Sequence, residues 1–126
     1  MPLTRISMRK GKSREYKRAI IASIYESMRL TFDVPEDDIF MVIDEHETDD
    51  FNYGKSYLGI ERTDDLLIIQ VTANNTRTLD KKKAFFAKTA ELLVNGTGIR
   101  KEDIFINIVE VPKENWSFGN GLAQYA

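Results

Sequence analysis

The 126-residue chain has no cysteine, one histidine, one tryptophan and three prolines. Without cysteine there can be no disulfide, no thiol nucleophile and no thiolate-bound zinc or iron–sulfur centre. The single histidine, His46, excludes a His-rich metal cluster and leaves any Ser-His-Asp triad dependent on that one residue. An excess of charge of one sign is missing as well. The 18 Lys and Arg residues face 20 Asp and Glu, for a net −2, so there is no basic footprint for general nucleic-acid binding. No apolar run approaches the ~20 residues of a membrane-spanning helix. The polar start through Arg9-Lys10-Gly11-Lys12 lacks the apolar core of a signal peptide. A cytoplasmic protein with neither a membrane nor a nucleic-acid partner is expected. What is present is a 42% hydrophobic composition over a length suited to one domain, residues 1–126. Any chemistry must therefore come from carboxylates, arginine, hydroxyls or the chain terminus.

The chain contains an internal repeat. Sliding the sequence by 65 residues overlays Ser13–Glu45 on Thr78–Glu110 without a gap, with nine of 33 positions identical. The clearest stretch sets Asp37-Asp38-Ile39-Phe40 against Glu102-Asp103-Ile104-Phe105. Residues 2–46 and 67–111 are read as two copies of one unit, followed by a tail over 112–126. Each copy reads strand, helix, strand. In the first, Leu3–Ile6 is a short strand, Ser13 an N-cap, and Ile20, Ile21, Ile24, Met28 and Phe32 the apolar face of a helix. Asp33-Val34-Pro35 ends that helix, because the residue before proline is pushed out of the α region. Ile39–Ile43 then suits a buried strand. In the second copy Leu66–Thr72 is the strand, Thr78 the N-cap, and Phe85, Phe86, Thr89, Leu92, Leu93 and Gly96 the buried helical face. Gly96 and Gly98 close the helix before a last strand over Ile104–Val109. The order βαβ-βαβ predicts one sheet backed by two helices.

Few residues can carry chemistry. Pro2 follows the initiator methionine, and proline at this position is small enough that Met1 is normally removed. That leaves a secondary amine, at once a base and a nucleophile able to form an iminium with a carbonyl. A retained Met1 would make the same nitrogen an unreactive tertiary amide. Arg77 stands just before the second N-cap, where a guanidinium and helix N–H groups suit a carboxylate; alternatively it is a solvated loop residue. Asn75, in the loop before it, supplies an amide. Asp38 is either a structural cap, as its repeat partner Asp103 suggests, or an acid, base or water-orienting group. His46 with Glu45, Glu47, Asp49 and Asp50 is read as a solvated acidic loop, since there is no second His and no calcium-loop spacing. No metal and no cofactor is expected. The tail places the only tryptophan, Trp116, and Phe118 beside Gly119 and Gly121. It is a lid or oligomer contact on the bland reading, and the apolar wall of a site on the functional one.

Together these residues resemble the tautomerase superfamily, and within it malonate semialdehyde decarboxylase and its relatives, in which two β-α-β units are fused. The resemblance rests on Pro2-Leu3, Val34-Pro35 followed by Asp38 and Phe40, Glu45-His46, Arg77, and Trp116-Ser117-Phe118-Gly119 with Gly121. It implies an α+β fold whose duplicated units form one mixed sheet backed by two helices. It also implies Pro2 as general acid/base, Asp38 as a partner that orients or activates water, and Arg77 as the carboxylate-binding cation. Trp116 and Phe118 would line the pocket, with Asn75 standing where some relatives carry a second arginine. The implied activity is that of a lyase or isomerase acting on a small oxo carboxylic acid as a homotrimer. Decarboxylation leads; keto–enol tautomerisation of a phenylpyruvate-type acid and hydration are alternatives on the same site. A non-catalytic homo-oligomer that retains Met1 is the alternative of another class. Proline is kept in only one copy, against Leu67 in the other, so one site per chain is expected.

Overall fold

The computed structural model of the chain describes residues 2–126. Met1, on whose removal the free amine depends, lies outside the described residues. Four strands and two long helices follow the predicted order: β1 (Leu3–Arg9), α1 (Arg14–Phe32), β2 (Met41–His46), β3 (Leu67–Asn74), α2 (Leu79–Thr97) and β4 (Ile104–Val111). The sheet order is β2-β1-β3-β4. β1 pairs parallel with β2 and β3 parallel with β4, while the two units meet antiparallel, Leu3 opposite Thr72 and Ile6 opposite Ile69. This is the mixed sheet of an α+β fold.

Local sequence accounts for the element ends. The Ser13 and Thr78 side chains accept the amide N–H of Tyr16 and of Lys81, respectively, capping two helices of 19 residues each. α1 ends as Asp33 takes a left-handed conformation at φ 54° and donates its N–H to the Met28 carbonyl; Gly98 does the same for α2 at φ 76°. Gly96 does not close the second helix. It lies inside α2, where an added Cβ would sit 3.0 Å from the Ser23 hydroxyl of α1, so its role is close approach of the two helices.

The helices cover one face of the sheet. Alternation in the central strands sends Thr4, Ile6 and Met8 of β1 and Leu67, Ile69, Val71 and Ala73 of β3 into the core. There they meet Ile20, Ile24, Met28 and Phe32 of α1 and Phe85 and Leu93 of α2. Ile21 and Leu92 are only partly buried and Phe86 is exposed, because one helical stripe faces the sheet. Between the helices the buried Ser27 and Thr89 hydroxyls are 2.7 Å apart, and each satisfies the other. The outer strands differ from the expected buried strands. β2 starts at Met41, two residues later than predicted, because Pro35–Asp38 closes a turn in which the Asp38 N–H donates to the Pro35 carbonyl. It then runs on to His46, pairing with Thr4 through Arg9 of β1. Both β2 and β4 are edge strands with one face uncovered, leaving Phe40, Val42, Phe105 and Val109 exposed.

Candidate active site

The amino-terminal end of β1 lies in the middle of the sheet, between the start of β2 and the end of β3. Pro2 immediately precedes it and is buried. With Leu3, Phe40, Trp116, Ser117 and Phe118 it lines a cavity of about 190 Å³. The wall is built by the tail folding back. Trp116 and Phe118 stack at 5.5 Å between ring centroids, and Tyr125 meets Phe118 edge-on at 4.8 Å. Gln124 locks the turn, accepting from the Phe118 amide and donating to the Gly119 carbonyl. Trp116 is fixed at its polar end, where its indole N–H donates to the Asn74 side-chain oxygen at 2.7 Å. Asn74, at the end of β3, is buried, and sequence reasoning passed over it in favour of its neighbour. Asn75 is exposed and gives its backbone N–H to the Val111 carbonyl; it does not line the cavity. The signal that favours Asn74 is the period-two pattern of β3, which places alternate residues on one face.

Arg77 and Asp38 are not among the residues that line this cavity. The Arg77 guanidinium lies over the Phe32 ring at 4.5 Å, and Phe32 in turn stacks on Phe85 of the core. Its Nη2 donates to the Phe32 carbonyl at the end of α1, whereas its buried Nε has no hydrogen-bond partner among the described residues. A buried donor left unmatched is costly unless a ligand meets it. Burial pushes the guanidinium below its ordinary pKa, against the opposing pull of Asp33 and Asp38. Asp38 is buried, and desolvation raises its carboxyl above the usual range, offset in part by positive charge that includes Arg77. The turn that carries it is pinned by the Asp37 amide, which donates to the Tyr25 hydroxyl, with Asp37 left-handed at φ 67°.

The repeat partner of Asp38 shows what a structural aspartate looks like in this fold. Asp103 is fully buried, and its two oxygens accept from the backbone N–H and the hydroxyl of Thr63, at 2.7 and 2.5 Å. Thr63 belongs to the segment leading into β3. Asp103 holds chain, whereas Asp38 lies close enough to Arg77 to feel its charge. The acidic loop performs no such duty: Glu45 pairs with Lys17, Glu47 pairs with Lys10, and the His46 ring lies against Phe51.

Pro2 on an aromatic-walled cavity, a desolvated carboxyl at Asp38 and an arginine whose Nε lacks a hydrogen-bond partner among the described residues are the groups in this region able to carry chemistry. Two family models described as tautomerase enzyme match residues 38–119 and residues 2–59. The chain is 41% identical over 98% of both lengths to the probable tautomerase YusQ of Bacillus subtilis (strain 168). It is 33% identical to the crystal structure of FG41 malonate semialdehyde decarboxylase inhibited by 3-bromopropiolate, with a TM-score of 0.91 over 98% of this chain and 93% of that one. A fused 4-OT in the form of a symmetric trimer shares the fold at 17% identity, with a TM-score of 0.80 over 98% of this chain and 97% of that one. The chain belongs to the tautomerase superfamily and is an enzyme of the tautomerase family.

Proposed function

We propose that the enzyme decarboxylates a small 3-oxo carboxylic acid of the malonate semialdehyde type, with Pro2 as the catalytic amine. The reading rests chiefly on one observation: Pro2 is buried on a cavity of about 190 Å³ walled by Trp116 and Phe118. That volume is below the ~300 Å³ at which pockets begin to hold drug-sized ligands, which favours an acid of few heavy atoms. The similarity to malonate semialdehyde decarboxylase supports the same substrate class.

In this reading the substrate carboxylate meets the Nε edge of Arg77, and the aldehyde reaches Pro2. Protonated Pro2 polarises the carbonyl oxygen, or its free base attacks the carbonyl carbon to give an iminium with loss of water. Either form accepts the electron pair released as the bond to the carboxyl carbon breaks. Carbon dioxide leaves, and the resulting enol or enamine takes a proton at carbon. The stacked aromatic wall keeps water away, and Asp38, held partly toward its neutral form, orients the water that hydrolyses an iminium. A second reading, keto–enol tautomerisation of a 2-oxo acid, draws on the likeness to a probable tautomerase and needs only proton shuttling by neutral Pro2.

The enzyme would act as a homo-oligomer, a trimer by analogy with the fused 4-OT. The sheet face away from the helices carries the exposed Val42 and Val109 on its edge strands, an apolar surface suited to a second copy. The function is tested by comparing Pro2→Ala and Arg77→Ala with wild type on malonate semialdehyde and on phenylpyruvate. Loss of a positioned proton-transfer group should cost roughly 10²–10⁴-fold in Pro2→Ala. Unchanged rates on both substrates in both variants would refute the assignment.

A further inference from the structure

A second cavity, outside the proposed site, is related to the first by the repeat. It measures about 320 Å³ and is lined in part by Tyr53, Tyr57, Arg62, Ile68 and Phe105. The 65-residue offset that superimposes α1 on α2 places Leu3 on Ile68 and Phe40 on Phe105. The same offset carries Trp116-Ser117-Phe118-Gly119 onto Phe51-Asn52-Tyr53-Gly54, and the 3-10 turn Lys113–Asn115 onto Thr48–Asp50. The two cavities are therefore built from corresponding positions at the two ends of one sheet. The second has no amine, because Leu67, at the position of Pro2, is a fully buried residue inside continuous chain.

We propose that this second cavity is a non-catalytic binding site for a small arylcarboxylate. The ring is received by Tyr53, Tyr57 and Phe105, which surround a larger space than the active cavity offers. Tyr53 is held in place, its hydroxyl donating to Asp64 at 2.6 Å, and Asp64 is neutralised by Arg9 at 2.8 Å. The carboxylate is received by Arg62. Its Nη1 is anchored on the carbonyls of Gly54, Tyr57 and Ile60, and among the described residues the side-chain hydrogen bonds of Arg62 run through that nitrogen. The Nε–Nη2 edge of a guanidinium oriented in this way is a preorganised fork for a carboxylate. The site goes beyond the proposed reaction and stands on the repeat geometry and Arg62 whether or not Pro2 is catalytic.

The test is a titration of the full-length protein, labelled at its Ile and Leu methyl groups, with phenylacetate followed by NMR. Ile68 reports the second cavity and Leu3 the first. Saturable shifts at Ile68 are expected. They should weaken by roughly tenfold or more in Arg62→Gln, the effect of removing one charge-assisted contact. Phenylacetamide, which lacks the charge, should bind wild type correspondingly less well. Because Arg62 also clamps its loop, Ile68→Trp provides an independent variant: it fills the cavity and should abolish one class of bound phenylacetate in equilibrium dialysis, with turnover of oxo acids unchanged. Shifts at Leu3 alone, no binding at all, equal binding of phenylacetamide, or dialysis unaffected by Ile68→Trp would each overturn the proposal. None of these outcomes bears on Pro2, whose role is read from turnover.

Discussion

Replacing Arg77 separates carboxylate binding from fold stability. Among the described residues Nη2 of its guanidinium donates to the Phe32 carbonyl at 3.2 Å, while Nε is buried without a hydrogen-bond partner. A substrate carboxylate that meets this group gains charge-assisted hydrogen bonds worth about 1.5–3 kcal/mol each. Arg77→Met removes them. At about 3–4 kcal/mol in total, kcat/KM should fall roughly 10²–10³-fold. Arg77→Lys keeps a charge but loses the planar fork, and should recover about one order of magnitude of that loss. Stability should change little. The contact with the Phe32 ring, ~1 kcal/mol at a half-buried site, is opposed by the desolvation that already lowers the guanidinium pKa. The assay is steady-state kinetics on malonate semialdehyde and phenylpyruvate beside thermal melts of the same preparations. The reasoning is refuted if Arg77→Met keeps its kcat/KM while Pro2→Ala loses activity. It is equally refuted if activity falls only in proportion to a large drop in Tm.

Three further outcomes follow from the same geometry. Asp38→Asn should lower activity yet raise Tm at neutral pH, because burial raises the folded-state carboxyl pKa and its ionisation works against folding. The stability linked to that group is present below its unfolded pKa and lost as pH rises through the folded one, so the Tm gain should shrink as melts are taken to acid pH. Thr63→Val removes a hydroxyl from the fully buried Asp103 and should cost about 1–3 kcal/mol, read as a lower midpoint in urea. Asn74→Leu takes the acceptor from the indole of Trp116, the only tryptophan. Its emission should shift, and KM should rise about fivefold for the loss of ~1 kcal/mol.

Much of the fold was legible because it is written twice. Helix caps at Ser13 and Thr78 and the 65-residue offset predict two helices of equal length, and both have 19 residues. The matching ion pairs Lys17–Glu45 and Lys82–Glu110 show that the offset extends to side-chain contacts. Less legible were properties set by tertiary neighbours. The apolar run of β2 reads as fully buried, but as an edge strand it is covered by the helices on one face only and leaves Val42 exposed on the other. Gly96 resembles a helix stop, and only the position of Ser23 on the other helix reveals it as a contact glycine. At the site, Pro2, Trp116 and Phe118 were identifiable by residue type, and they share a cavity. Arg77 and Asp38 do not line it, and the link between Asn74 and Trp116 depends on how the tail folds back, which no local pattern encodes. The extent of the repeat into the tail was also hidden, since Phe51-Asn52-Tyr53 and Trp116-Ser117-Phe118 share aromatic character but no identical residue.

The central claim is that the free secondary amine of Pro2 carries the reaction. Intact mass spectrometry of a preparation whose turnover of malonate semialdehyde has been measured tests it most directly. The account predicts a mass lower by one methionine residue in the active protein, and inactivity for any fraction that retains Met1. Full turnover by protein with Met1 still attached would contradict it.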